Sequence, residues 1–254
     1  MQGCMKLFLL ILINFSLITN IFSEQNSDYF SFTQINTESI TIQLSNNKQT
    51  PQNLLLIIRN MDNAQIAPKI ENRYLTSNTY INSNNESFSG EGNLVIYQKD
   101  SPREFSVADL LPDTYYYIDA YTIEKKQYKL LSSTKFTTLA TPPSSQVQKI
   151  MWKNQTAKSF EIVASGSDSK STLITISTKH SDFTPQNGID YKSSSSLGMG
   201  EIIGDSNFVV LSASDTVNYV RITNLTPDTQ YYIKAFAVNG KDKSCNYLTD
   251  LTKL

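Results

Sequence analysis

The feature that most constrains this chain is an internal repeat. Residues 105–121 and 220–236 align without a gap, at a spacing of 115 residues. The first copy reads Phe-Ser-Val-Ala-Asp-Leu-Leu-Pro-Asp-Thr-Tyr-Tyr-Tyr-Ile-Asp-Ala-Tyr, and the second reads Val-Arg-Ile-Thr-Asn-Leu-Thr-Pro-Asp-Thr-Gln-Tyr-Tyr-Ile-Lys-Ala-Phe. Self-similarity at a fixed spacing indicates one structural unit used twice. We therefore expect two domains that are built alike.

Each copy has the pattern of two strands joined at a bend. Apolar residues alternate on both sides of a Pro-Asp-Thr turn, which is typical of strand, turn and strand. The pattern Leu-x-Pro-x-Thr-x-Tyr is that of a tyrosine corner, in which the tyrosine hydroxyl bonds backbone a few residues upstream. It predicts two structural corners, formed by Leu110, Pro112, Thr114 and Tyr116 and by Leu225, Pro227, Thr229 and Tyr231.

On these corner residues the chain resembles the fibronectin type III family. The resemblance implies an all-β chain of two tandem immunoglobulin-like sandwiches, covering residues 24–141 and 142–254. The seam between them contains Pro142 and Pro143, as linkers between such modules do. The resemblance also implies that the modules space or present other domains and have no catalytic activity of their own.

The remaining strands are predicted from runs of alternating or continuous apolar residues. In the first domain they are residues 39–44, 54–58, 93–98 and 129–138, besides the pair at the corner. In the second they are residues 159–164, 172–178, 208–211 and 244–249.

The first 23 residues have the composition of a secretory signal peptide. Lys6 precedes an apolar run that ends near Phe22, and Ser23 is a small residue at a plausible cleavage site. The alternative is an uncleaved anchor, which needs about 18 or more cleanly apolar residues; Asn14 and Asn20 interrupt the run. We expect a secreted or cell-surface protein, extracellular or periplasmic, with no stable membrane insertion after cleavage.

Charge and cysteine content narrow the class of protein further. The chain has 22 Lys and Arg against 23 Asp and Glu. A nucleic-acid-binding protein is expected to have a basic patch and a high pI, so we expect no nucleic-acid partner. Cys4 lies in the predicted signal, so Cys245 alone remains and no disulfide within the chain is expected. Each domain must then be stabilised by its hydrophobic core, which is feasible at this size.

A long connection follows the second predicted strand of each domain, residues 54–58 and 172–178. Pro68 and Tyr74 recur at the spacing of Pro185 and Tyr191, and the polar stretches after them end in Gly90-Glu-Gly92 and Gly198-Met-Gly200. Because a strand follows each glycine pair, we expect tight bends there and no phosphate site. The Pro-to-Gly-x-Gly segment resembles a variant of the module found in bacterial secreted and surface proteins.

The sequence offers no catalytic set. His180 is the single histidine, no nucleophile motif accompanies it, and we expect a solvated loop residue. Cys245 is expected to pack as a small apolar side chain. Asp168, Asp205 and Asp215 follow no calcium-loop pattern. We therefore predict a protein that is not an enzyme and has no cofactor and no metal.

One surface feature suggests binding. Strand periodicity puts large aromatic residues on the outer face of the strand after each corner. The long loop, with Tyr74 and Tyr80, would cover this face in the first domain, or a ligand or partner would. The tentative ligand face consists of Tyr117, Tyr121, Tyr232 and Phe236.

Two functions from different classes are compatible with these features. The leading prediction is a non-enzymatic module pair for adhesion, spacing or protein assembly. The alternative is a carbohydrate-binding or accessory module of an extracellular polysaccharide-degrading system, whose aromatic residues stack on sugar rings. The partner is then an unknown protein or glycan.

Overall fold

The computed structural model describes residues 27–46, 50–81, 87–215 and 217–249. The predicted signal peptide, residues 1–23, lies outside the described residues. The chain divides into two compact units, Met1–Thr138 and Leu139–Leu254. This division comes three residues before the boundary predicted between residues 141 and 142.

The first unit is a sandwich of two antiparallel sheets. Its strands are β1 (Phe30–Ile35), β2 (Ile40–Leu44), β3 (Leu55–Asn60), β4 (Phe88–Gly90), β5 (Asn93–Tyr97), β6 (Glu104–Val107), β7 (Tyr115–Glu124) and β8 (Gln127–Thr137). One sheet has the order β1-β2-β6, and the other has the order β4-β5-β3-β7-β8.

The second unit repeats this topology. Its strands are β9 (Lys149–Lys153), β10 (Phe160–Ser165), β11 (Ser171–Ser177), β12 (Ile202–Ile203), β13 (Asn207–Leu211), β14 (Tyr219–Ile222), β15 (Tyr232–Asn239) and β16 (Asn246–Tyr247). The sheet orders are β14-β10-β9 and β12-β13-β11-β15-β16. The predicted fold class is therefore confirmed: both units are all-β, immunoglobulin-like sandwiches of the fibronectin type III kind.

The structure departs from the predicted strands in two respects. Four edge strands were not predicted: β1 and β9, which begin the two units, and the short strands β4 and β12; each has a single neighbour in its sheet. The last strand of the second unit was predicted over residues 244–249 but covers Asn246–Tyr247 alone, because a 3-10 turn at Asp242–Ser244 precedes it.

Apolar side chains cover both faces of each five-stranded sheet. The inner face packs on the three-stranded sheet, with Ile42, Ile58 and Ile118 fully buried in the first unit. A second cluster lies on the outer face. This is why β3 is apolar at consecutive positions, since a strand buried on both faces does not alternate.

Candidate functional site

The two corners have matching hydrogen bonds. The hydroxyl of Tyr116 accepts a hydrogen bond from the backbone N–H of Leu111 at 2.9 Å. The hydroxyl of Tyr231 accepts one from the backbone N–H of Thr226, also at 2.9 Å. In both bends the threonine hydroxyl donates to the proline carbonyl two residues earlier. These contacts hold the crossing between the sheets, so the corner residues have a structural role.

A buried tyrosine holds each long loop against the outer sheet face. The hydroxyl of Tyr74 accepts a hydrogen bond from Lys69 N–H at 2.8 Å, and that of Tyr191 accepts one from Gln186 N–H at 3.0 Å. The two tyrosine residues are 5% and 7% exposed. We call each arrangement a loop latch. Each donor is the residue after the predicted proline, so the Pro-to-Tyr spacing has a structural cause.

The latches require a correction to the predicted ligand face. Tyr121 and Phe236 are 3% and 4% exposed, because the loop tyrosine packs into the same outer cluster. Burial raises the pKa of Tyr121 to about 12. Tyr117 is half-buried beneath the guanidinium of Arg59, 4.4 Å from its ring centroid. Tyr232, at 37% exposed, is the most open of the four predicted residues.

Tyr80 also lies elsewhere than predicted. Its ring packs edge-to-face on Tyr116 inside the sandwich, with the centroids 5.4 Å apart. Its hydroxyl donates to the carbonyl of Gly92 at 2.9 Å and accepts from the N–H of Asn60. Tyr80 therefore closes one end of the core and does not cover the outer face.

A buried ion pair lies under the loop of the first unit and was not predicted. Arg59 Nε is 2.8 Å from Asp119 Oδ2, and the two side chains are 10% and 1% exposed. Ser133 Oγ donates to Asp119 Oδ1, and an Arg59 terminal nitrogen donates to the carbonyl of Asn63. The pair thus joins β3, β7, β8 and the loop. Strand patterning gave no sign of it, because pairing depends on the register between strands.

The second unit has different residues at these positions. Ser177 and Lys234 occupy the register positions of Arg59 and Asp119. Lys234 Nζ donates to the carbonyl of Ser181 and pairs with the exposed carboxylate of Asp182 at 3.3 Å.

The glycine pairs are not equivalent in the two units. Gly90-Glu91-Gly92 forms the turn between β4 and β5, with a φ of +66° at Gly92. The corresponding turn between β12 and β13 is Gly204-Asp205-Ser206, with a φ of +62° at Gly204. Gly198-Met199-Gly200 lies before β12, so its predicted correspondence with Gly90-Glu91-Gly92 is wrong.

A buried asparagine follows the turn in both units. Asn93 accepts from Ile66 N–H at 3.2 Å and donates to the carbonyls of Ala64 and Glu91. Asn207 donates to the carbonyl of Ile203 at 3.1 Å and to Ser181 Oγ. Both asparagines tie the loop to the sheet. A sequence signal that could have identified both asparagines is the pattern Gly, acidic residue, any residue, Asn, which occurs at residues 90–93 and 204–207.

The other polar candidates serve local structure. His180 is exposed, with its ring centroid 5.7 Å from that of Tyr232. Cys245 is fully buried, with Sγ 3.9 Å from the Gly240 carbonyl. Asp168 accepts hydrogen bonds from the hydroxyl and backbone N–H groups of Ser144 and Ser145, which hold the pKa of its carboxyl well below the usual range.

Neither a metal cluster nor a spanning helix is found in the described part of the chain. Within residues 27–46, 50–81, 87–215 and 217–249, no three His, Cys, Asp or Glu side chains lie close enough to hold an ion. Over the same ranges, no helix is both long and apolar enough to cross a membrane.

The second unit has one open cleft at its corner. The cleft has a volume of about 320 Å³ and is lined by Trp152, Phe160, Leu225, Tyr231 and Ile233, among others. Trp152 is 66% exposed.

The chain is similar to solved tandem fibronectin structures. It aligns with a two-domain fibronectin type III segment of chicken tenascin at 12% identity, covering 87% of this chain and 97% of that chain, with a TM-score of 0.32. It aligns with the FN1-FN3 domains of chicken CNTN1 at 9% identity, covering 86% and 62%, with a TM-score of 0.36. No protein-family model and no curated protein matches. The fold assignment rests on strand order and the two corners.

Proposed function

We propose that the chain is an exported, non-enzymatic pair of sandwich modules that binds other proteins in adhesion, spacing or assembly. The observation that carries the proposal is the structural use of both long loops. In this fold such loops are where a reaction pocket is most readily built. Here a buried tyrosine and a buried asparagine hold each loop on its sheet. Strand edges and exposed side chains are then the surfaces left for contact.

The burial of the outer-face aromatics favours a protein partner over a glycan. Stacking on a sugar needs an open aromatic face, and Tyr121 and Phe236 are buried. The face of Tyr117 is already taken by Arg59. Of the four predicted ligand-face residues, Tyr232 is the one left most open for stacking on a sugar.

The export step is tested by expressing the chain with a carboxyl-terminal tag and sequencing the mature protein. We expect release from the cytoplasm and an amino terminus at Glu24. Retention inside the cell with Met1 intact would contradict the proposal.

The non-enzymatic, protein-binding role is tested by a glycan array and by assays with generic ester and glycoside substrates. We expect no turnover and no saturable glycan binding. Saturable binding that is lost on Tyr117→Ala or Tyr232→Ala would favour the carbohydrate alternative.

A further inference from the structure

The turn between β9 and β10 stands out by its exposure. Residues 151–158 are all exposed, which is the longest such run among the described residues. Asn154 begins the turn directly after β9, with a φ of 53° in the left-handed region that asparagine adopts more readily than most residues. Its Nδ2 donates a hydrogen bond to Glu161 Oε2 at 2.9 Å. The side-chain amide nitrogen of Asn154 therefore lies at the surface of the unit.

Asn154 is also the first residue of a modification motif. Asn154-Gln155-Thr156 has the pattern Asn, any residue but Pro, then Ser or Thr, which accepts an asparagine-linked glycan in surface loops of exported proteins. After the predicted signal peptide, the pattern begins at Asn85, Asn154 and Asn224. Asn85 lies outside the described residues, so the structure allows a comparison of the other two.

The surroundings of Asn154 leave room for an attached oligosaccharide. Lys153, the residue before it, has a side chain that is 61% exposed. The strand β9 is the edge of its sheet, and over the described ranges no strand pairs with its outer side. A bulky polar group on Asn154 Nδ2 would thus extend past the sheet edge into solvent and displace no packed side chain.

Asn224 has the same pattern in a more confined place. Its φ is 62°, close to that of Asn154, but its Nδ2 donates to the Leu197 carbonyl of the long loop at 3.2 Å. Leu225 is buried, and Thr226 N–H donates to the corner hydroxyl of Tyr231. A glycan on Asn224 would have to share its space with the loop, so Asn224 is the matched control for Asn154.

We propose that Asn154 is a glycosylation site, to which an oligosaccharide is attached during export. The co-reactant is an oligosaccharide carried on a lipid diphosphate. The amide nitrogen forms a bond to the anomeric carbon and loses one proton, while the bond from that carbon to the diphosphate breaks and the diphosphate leaves with the electron pair. No group is oxidised or reduced. The nitrogen keeps its second N–H, which can still donate to Glu161.

This inference goes beyond the proposed binding function and rests on it only for export. It also bears on which surfaces remain for a protein partner. An unpaired strand edge is a template for another strand, and a bulky, solubilising group at the end of β9 opposes such pairing.

The site is read directly by isotope labelling. The full chain is produced in a eukaryotic cell that secretes glycoproteins, and the product is treated in heavy-oxygen water with the amidase that removes asparagine-linked glycans. This enzyme converts the acceptor asparagine into a labelled aspartate. Trypsin then releases residues 154–158 and 222–234 as separate peptides, because each follows and ends in a basic residue. We expect the label in residues 154–158.

Three variants test the motif. Asn154→Gly removes the acceptor nitrogen at a φ that glycine adopts freely, and it should remove one glycan step in gel mobility. Thr156→Ala keeps the nitrogen but removes the hydroxyl, and should do the same, whereas Thr156→Ser should keep the glycan. Asn224→Gly, at a similar φ, should leave the label in residues 154–158 unchanged.

An unlabelled peptide 154–158 from the exported chain would overturn the proposal, as would unchanged gel mobility in Asn154→Gly. Because transfer takes place on the chain before it folds, a variant that misfolds is analysed from cell extracts in the same way. A second version carries the signal peptide of a host protein in front of the chain. Failure of the first version alone to be exported would count against the proposed function, whereas an unlabelled peptide 154–158 in the second would refute the glycosylation site.

Discussion

The two units share a strand order but close the corner end of their cores differently. In the first unit Phe32, Tyr80, Tyr116 and Phe136 form a closed aromatic cluster. In the second unit Leu197 takes the place of Tyr80, Trp152 is exposed, and a cleft remains. The comparison teaches that the repeated motif determines the bend, whereas residues outside the motif determine whether the core is sealed.

The loop attachments have diverged less. Both units keep a loop latch, at Tyr74 and Tyr191, and both keep a buried asparagine, at Asn93 and Asn207. The contrast between these shared attachments and the divergent corner and ion-pair positions predicts which substitutions have different effects in the two units and which have similar effects.

The largest expected difference in stability is between substitutions at the corner ends of the two units. Phe136→Ala should lower the free energy of unfolding of the first unit by about 3–5 kcal/mol, since it removes a fully buried ring. Trp152→Ala should change that of the second by about 0.5 kcal/mol or less, because its side chain is mostly exposed. Urea unfolding followed by circular dichroism measures both, and Trp152 emission isolates the second unit in Phe136→Ala. Equal losses in the two variants would break the comparison.

The next largest difference is expected between Asp119 and Lys234, which occupy the same sheet position in the two units. Asp119→Ala should lower the free energy of unfolding of the first unit by about 3 kcal/mol, since it leaves the Arg59 charge buried without its carboxylate. Lys234→Ala, at the same position in the second unit, should cost about 1 kcal/mol or less, since Asp182 is exposed. The midpoints of urea unfolding measure both losses, provided that the dependence of the unfolding free energy on urea concentration is unchanged. A small loss for Asp119→Ala would mean that the buried pair contributes little.

A third pair of substitutions should affect both units alike. Asn93→Ala leaves the backbone groups of Ala64, Ile66 and Glu91 without their partner, and Asn207→Ala does the same to the Ile203 carbonyl. Each loss of a buried hydrogen-bond partner costs about 1–3 kcal/mol. Thermal unfolding measures the change, with the exposed Lys158→Ala as a control. An effect confined to one unit would contradict the equivalence of the two turns.

The smallest effect appears only at high pH. Burial raises the pKa of Tyr121 to about 12 from the ordinary value of 10.0, so the folded state holds this proton more tightly than the unfolded state. The resulting stabilisation is complete below pH 10 and is lost as the pH rises towards 12. Tyr121→Phe, which introduces the residue that the second unit has at Phe236, should reduce this alkaline loss and change nothing at pH 7. Urea midpoints of the first unit between pH 7 and pH 11 measure it; an unchanged slope would contradict the assignment.

Much of the fold could be predicted because its determinants are local. The corner motif and the alternating runs are readable from neighbouring residues, and they predicted most of the strands. The strands β1 and β9 were missed for different reasons: β1 has an alternating pattern, with Phe30 and Phe32 buried, that was overlooked, whereas in β9 Trp152 and both lysines are exposed. A short polar strand pattern is difficult to tell from a loop.

The cleft could not be predicted, because it depends on contacts between distant residues. Tyr231 was predicted as a corner residue, but whether its neighbour Trp152 is covered depends on which distant side chains pack at that end of the unit. The burial of Tyr121 and Phe236 likewise required the path of the loop. Strand periodicity predicts the face of the sheet on which a side chain lies, but it does not predict which other residues cover that face.

The second unit also differs in how its first and last segments are joined. Gln146 bonds the carbonyl of Leu248, 102 residues later, and Asn246 bonds the carbonyl of Ala140, 106 residues earlier. During synthesis these bonds form only after nearly the whole unit has left the ribosome. The first unit has a comparable requirement in its core, because Phe32 packs on Phe136 near the end of that unit. Each module of the newly made chain therefore stays incompletely packed until its last strand has emerged, and contacts between distant residues form slowly, which is when chaperones would engage it.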